Sequence, residues 1–125
     1  MIADARAEAT VPVRDLERAA DFYGNVLGLS PGVSLLPRTD VVYDLVGGGT
    51  LLLYEWAGAP RPSVTVAHFV VDDVAATVRE LRARGVPFDD YDMPELKTVD
   101  GVATVGDHSF AWFRDPDDNV LGVRD

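Results

Sequence analysis

The stretch VRDLERAADFYGNVLGL, residues 13–29, decides the fold, because the chain repeats its design further on. Asp15 is a favourable N-cap, the apolar residues after it recur with helical spacing, and a glycine follows as a stop. The stretch VDDVAATVRELRARGV, residues 71–86, has the same arrangement with Asp73 as its N-cap. The sequence therefore predicts two amphipathic helices in equivalent places of an internal repeat.

Short runs rich in Val, Leu and aromatic residues surround each predicted helix and indicate strands. They are residues 8–13, 32–37, 41–46 and 50–56 in the first half, and 64–71, 86–91, 108–114 and 119–123 in the second. Each half thus reads strand, helix and three strands. We predict an α+β fold, a single domain over residues 1–125 made of two βαβββ modules, residues 1–57 and 64–125, with a Pro-containing linker at 58–63.

The stretch MPELKTVDGVATVGD, residues 93–107, has no clean period of either kind. Long irregular segments inside small domains are often functional. We therefore expect a loop that covers a pocket or a partner surface.

Composition excludes several classes of function. With 21 acidic and 11 basic residues the net charge is −10, which disfavours nucleic acid and anionic membranes as partners. An acidic surface favours a cationic ligand by long-range attraction, although it serves solubility equally well. The absence of Cys excludes thiolate catalysis and Cys-ligated metals. Because no signal peptide or transmembrane segment is recognisable, we expect a cytoplasmic protein.

Three stretches together resemble the vicinal oxygen chelate superfamily, which includes glyoxalase I, bleomycin resistance proteins and extradiol dioxygenases. They are the helix of residues 13–29, the helix VDDVAATVRELRARGVPF of residues 71–88, and the hairpin WFRDPDDNVLGV of residues 112–123. The resemblance implies a cupped mixed sheet with helices on its outer face, a small-molecule ligand in the cup, and a homodimer. In members that use a metal, the first and last strand of each module supply the ligands, and the ion acts as a Lewis acid or binds dioxygen.

The four ligand positions that the resemblance implies mostly lack donor atoms. The first strands offer Glu8 and Val66, the last strand of the first module offers Leu51 or Leu53, and the final strand offers Gly122. Of these only Glu8 has a side chain that can bind a metal. We therefore expect no cofactor. A displaced divalent metal held by Glu8, Glu55 and His68 remains the alternative.

Without the usual metal, binding would depend on shape and on aromatic side chains. We expect the ligand to contact Trp56, His68 and Trp112, with Tyr54 and Tyr91 as further candidates and with Glu8 and Glu55 as charged members of the site. The first hypothesis is a small-molecule-binding protein that works without chemistry. The alternative is a lyase, an isomerase or epimerase, or a dioxygenase, which would use either the displaced metal or Glu8 or Glu55 as a general base. A third is an accessory domain with an unused cup.

Overall fold

A computed structural model describes residues 1–34, 40–58 and 64–125, and the chain divides into two compact units, Met1–Pro60 and Arg61–Asp125. Each unit contains a mixed sheet and one α-helix, so the predicted α+β class is confirmed. In the described ranges no helix is long and apolar enough to cross a membrane. The predicted linker at 58–63 stays a prediction, because residues 59–63 lie outside the described ranges.

The first unit has the predicted βαβββ order. Its elements are β1 (Ala9–Val13), α1 (Leu16–Asp21), a π-helical turn (Phe22–Val26), β2 (Ser30–Pro31), β3 (Asp40–Asp44) and β4 (Thr50–Glu55). The strand order is β1-β4-β3-β2, with β1 parallel to β4 and the other pairs antiparallel. The strand predicted at 32–37 extends into residues outside the described ranges, and the pairing observed nearby is that of β2.

The first helix forms where the sequence predicted it. The Asp15 carboxylate accepts a hydrogen bond from the Arg18 backbone N–H at 3.1 Å, as an N-cap does. The α-helical part is short, since the chain widens into the π-helical turn after Asp21. This turn keeps Tyr23 fully buried and stacked on Tyr43, with ring centroids 6.2 Å apart.

The second unit repeats this plan and adds strands to it. It contains β5 (Thr65–Val70), α2 (Val74–Ala83), β6 (Asp92–Met93), β7 (Leu96–Val99), β8 (Val102–Val105), β9 (His108–Arg114) and β10 (Val120–Arg124). The strand order is β5-β10-β9-β8-β7-β6, with β5 parallel to β10 and the other pairs antiparallel. The N-cap of α2 is Asp73, whose carboxylate accepts a hydrogen bond from the Ala76 N–H at 2.9 Å.

The prediction of an irregular loop at residues 93–107 is wrong. The segment forms most of a hairpin, β7 and β8, whose two-residue turn is Asp100 and Gly101 with φ of 52° and 80°. Two successive positive φ values are those of a type I′ turn, for which Asp-Gly is a preferred pair. The strand predicted at 86–91 is also wrong, since there only Phe88 forms a bridge, to Phe113. Five strands therefore follow α2 instead of three.

Strand alternation gives the second sheet two different faces. Ala111 and Phe113 of β9 are buried on the face against which α2 packs, together with Leu121 and Val123 of β10. The alternate residues of the same strands, Phe110, Trp112 and Gly122 among them, lie on the opposite face. We call this second surface the face opposite α2.

Candidate ligand-binding site

Four ring side chains form a continuous row on the face opposite α2, and we call these four the aromatic row: His68, Phe110, Trp112 and Tyr91. The His68 and Phe110 ring centroids are 6.2 Å apart, and those of Phe110 and Trp112 are 6.0 Å apart with nearly parallel planes. Tyr91 meets Trp112 edge to face at 5.4 Å. Phe110, Trp112 and Tyr91 are half-buried and His68 is exposed, so the row presents ring surface beyond its internal contacts.

The sheet builds this row through register. Phe110 and Trp112 are two residues apart on β9 and so share a face. Gly122 on β10 lies between Trp112 on one neighbouring strand and His68 on the other. A Cβ atom at Gly122 would lie 2.6 Å from Nε2 of His68 and closer still to its Cδ2. The imidazole reaches the row because residue 122 has no side chain.

The charges along the row differ from one end to the other. Burial, and then the positive charge of Arg124, lower the pKa of His68 from 6.5, which favours a neutral imidazole near neutral pH. Burial, and then the negative charge of Asp89, raise the pKa of Tyr91 above 10.0, so its phenol stays protonated. Asp89 itself forms an ion pair with Arg114 at 3.2 Å.

Of the five predicted ligand-binding residues, three lie together in the second unit: His68, Trp112 and Tyr91. The other two belong to the first unit, where Tyr54 is half-buried on β4 and Trp56, just beyond the end of β4, is 54% exposed. Their part in a ligand site stays a prediction.

The two candidate carboxylates lie far from each other in the first unit. Glu8 accepts a hydrogen bond from the Thr50 hydroxyl at 2.7 Å, at the start of the β1–β4 pair. Glu55 is at the other end, opposite Val13, and accepts from the Leu16 N–H at 2.9 Å. Five residues of strand separate the two ends by about 16 Å, whereas metal–oxygen bonds are about 2.0–2.6 Å. The two carboxylates cannot bind one ion, so the alternative site of Glu8, Glu55 and His68 is wrong.

One assignment of a metal position is corrected by strand alternation. Leu51 and Leu53 are buried on the same side of β4 as Glu55, which contacts the start of α1, so they face the helix. The internal repeat identifies the equivalent position on the other face. Thr10 and His68 lie the same number of residues before the helix N-caps Asp15 and Asp73. Because Thr10 pairs with Leu52 and His68 pairs with Gly122, Leu52 is the residue of β4 that corresponds to Gly122.

The corrected set of positions does not fit a metal ion. Leu52, Val66 and Gly122 have no donor atom in their side chains, and only Glu8 does. Within residues 1–34, 40–58 and 64–125 no group of three or more His, Asp or Glu could hold an ion. We therefore derive no chemical step through a metal.

Sequence reasoning missed three features of the site: the inclusion of Phe110, the contact between Gly122 and His68, and the neighbouring Arg124. Alternation along residues 108–114 could have found Phe110, because it is two residues from Trp112. The Gly122 contact depends on the pairing of β5 with β10, distant segments whose register no local pattern gives.

Several solved structures have a similar fold over nearly the whole chain. A glyoxalase/bleomycin resistance protein from Streptomyces sp. CB03234 is 28% identical, with 93% of this chain and 96% of that chain covered and a TM-score of 0.66. TnmS3, described as an antibiotic binding protein from the same organism, is 24% identical over 96% and 95% of the chains, with a TM-score of 0.64. The fosfomycin resistance protein FosX from Listeria monocytogenes is 19% identical over 97% and 92%, with a TM-score of 0.65.

The comparison with curated proteins found no match. A model of the Glyoxalase/Bleomycin resistance protein/Dioxygenase superfamily matches residues 6–123, nearly the whole chain. The chain therefore belongs to the glyoxalase/bleomycin resistance protein/dioxygenase superfamily.

Proposed function

We propose that this protein binds an aromatic small molecule on the aromatic row and that binding needs no metal ion. The observation that supports this most directly is the stacked pair of Phe110 and Trp112, extended by His68 and Tyr91 on one face of the sheet. Half-buried rings of this kind offer flat apolar area to a planar ligand, and an offset-stacked pair adds about 0.5–1.5 kcal/mol beyond area burial.

Independence from metal is supported by the side chains at the ligand positions, where Leu52, Val66 and Gly122 provide no donor. The fold neighbour TnmS3 is described as an antibiotic binding protein, so a chain of this fold can bind an antibiotic. For the present chain that likeness supports a binding role and identifies no ligand. The predicted homodimer and the predicted cytoplasmic location stay predictions.

The test measures the affinity for a neutral ring, 2-naphthol, by isothermal titration calorimetry. Trp112→Ala should weaken binding about tenfold, because one stacking partner and its buried area are lost. Trp112→Phe should retain most of the affinity, since it keeps a ring in the row. Val99→Ala is the matched control, because Val99 is an exposed apolar residue on β7. Its partner Val102 is adjacent to Ala103, which pairs with Phe110, so Val99 and Val102 lie on the other face of the sheet from the aromatic row.

Thermal unfolding of each variant separates loss of the site from loss of the fold. If Trp112→Ala unfolds, the comparison of Trp112→Phe with the parent still reports on the row. Equal affinity of the parent and a folded Trp112→Ala protein would contradict the proposal, and so would unmeasurable binding of the probe by the parent.

A further inference from the structure

We propose that the ligand of the aromatic row is an aromatic anion, a planar ring bearing a carboxylate or similar anionic oxygen group that Arg124 binds. This inference rests on the proposed function and adds to it the class of ligand. Its basis is the position of Arg124 beside Phe110, together with the pairing of the cation at the other end of the row.

Arg124 lies directly opposite Phe110 in the antiparallel pair of β10 and β9. Opposite residues of such a pair project from the same face with Cβ atoms about 4.5–5.5 Å apart, so the Arg124 side chain leaves the sheet beside that of Phe110. It is half-buried, which strengthens its interaction with an anion relative to a fully solvated charge. A ring stacked on Phe110 would hold its substituent within reach of Arg124.

The guanidinium has donors to offer. It donates one hydrogen bond, from Nη1 to the main-chain oxygen of Asp125, the last residue of the printed sequence, at 3.0 Å. Guanidinium carries five N–H donors, so four others can serve a ligand. The side chain of Asp125 is turned elsewhere, accepting from the Ser109 N–H at 2.9 Å and lying 3.4 Å from Nδ1 of His108. Among the described side-chain carboxylates none is in an ion pair with Arg124.

The cation at the other end of the row is already neutralised. Arg114 forms its ion pair with Asp89, and the same carboxylate faces Tyr91. Of the two arginines beside the row, Arg114 is therefore paired with an acidic side chain among the described residues, whereas Arg124 is not. A ligand with a ring and an anionic group would lie in one direction, with the anion towards Arg124 and the ring over Phe110 and Trp112.

Local charge outweighs net charge here. The net charge of −10 favours a cation at long range, but at physiological salt the screening length is about 8 Å. Charges beyond that distance mainly alter association rates, whereas a guanidinium in contact with the ligand alters the affinity. The net charge alone thus identifies no ligand, whereas the position of Arg124 favours an anion.

The test uses three probes with one ring system: 2-naphthoate, 2-naphthol and 2-naphthylmethylammonium, measured by calorimetry with the full chain. We expect 2-naphthoate to bind about tenfold more tightly than 2-naphthol, as one charge-assisted contact provides, and the ammonium probe most weakly. Arg124→Gln should remove the preference for 2-naphthoate and leave the affinity for 2-naphthol nearly unchanged. Arg124→Lys should retain part of the preference.

Arg79→Gln is the control, since it removes the same charge from an exposed position on α2. Arg79→Gln should leave the ratio of the affinities for 2-naphthoate and 2-naphthol unchanged. If Arg124 had only a structural role, its replacement would leave this ratio unchanged as well. Equal binding of 2-naphthoate and 2-naphthol, or tightest binding of the ammonium probe, would overturn the inference while the aromatic row stands as a binding site. If none of the three probes binds, both proposals fail.

Discussion

The contact between Gly122 and His68 predicts a specific coupling between two residues on neighbouring strands. In Gly122→Ala the backbone accepts the change, because Gly122 is not among the residues with positive φ. The obstacle is the new methyl group, which would lie 2.6 Å from Nε2 of His68. Since His68 is an exposed side chain, its ring can swing away from the row.

The expected cost follows from what that movement loses. When the His68 ring moves away from Phe110, the protein loses an aromatic contact of about 0.5–1.5 kcal/mol. If the surroundings of the new methyl group relax only in part, some of the usual overpacking cost of about 1–3 kcal/mol is added. Replacing Gly at a compatible position regains about 0.4–1 kcal/mol through the unfolded state. We expect Gly122→Ala to lower the free energy of unfolding by about 1 kcal/mol. In a His68→Ala background the same change should be neutral or stabilising.

Urea unfolding of the parent, the two single variants and the double variant measures the coupling energy, which should be about 1–2 kcal/mol. Gly47→Ala is the matched control, because a Cβ at Gly47 meets no atom within 4 Å and should show only the generic effect of the substitution. If Gly122→Ala costs the same with and without the His68 ring, the close contact between the two residues is not what requires glycine at this position.

Two further predictions concern the titratable residues named as site candidates. Glu55→Ala should lower the free energy of unfolding by about 1 kcal/mol through loss of the acceptor for the Leu16 N–H, and Glu55→Gln by less; equal losses in urea unfolding would contradict this capping role. The pKa of His68 in the folded protein lies below 6.5, so in this pH range the unfolded chain binds more protons than the folded one. The contribution of the neutral His68 side chain to stability is therefore complete above about pH 6.5 and is lost as the pH falls through the folded pKa. The difference in stability between the parent and His68→Gln should therefore change across this window, and a constant difference would refute the assigned cause.

The local elements were predictable because their signals are local. Asp15 and Asp73 cap their helices as the sequence predicts, and residues 108–114 form a strand with the predicted bounds. The hairpin at residues 96–105 had a local signal too, the Asp-Gly pair, but its strands are too short for a period to be recognised.

The sequence by itself determined the two helices, the α+β class, and the lack of donor atoms at Val66 and Gly122. Only the tertiary structure decided which side of β4 faces the helix, that Glu55 binds the Leu16 N–H, and that His68 joins Phe110 across Gly122. Helix caps and strand patterns arise within a few residues, whereas these contacts depend on the register between distant strands. A shift of one residue would turn every side chain of a strand to the other face, so composition and spacing cannot specify the site.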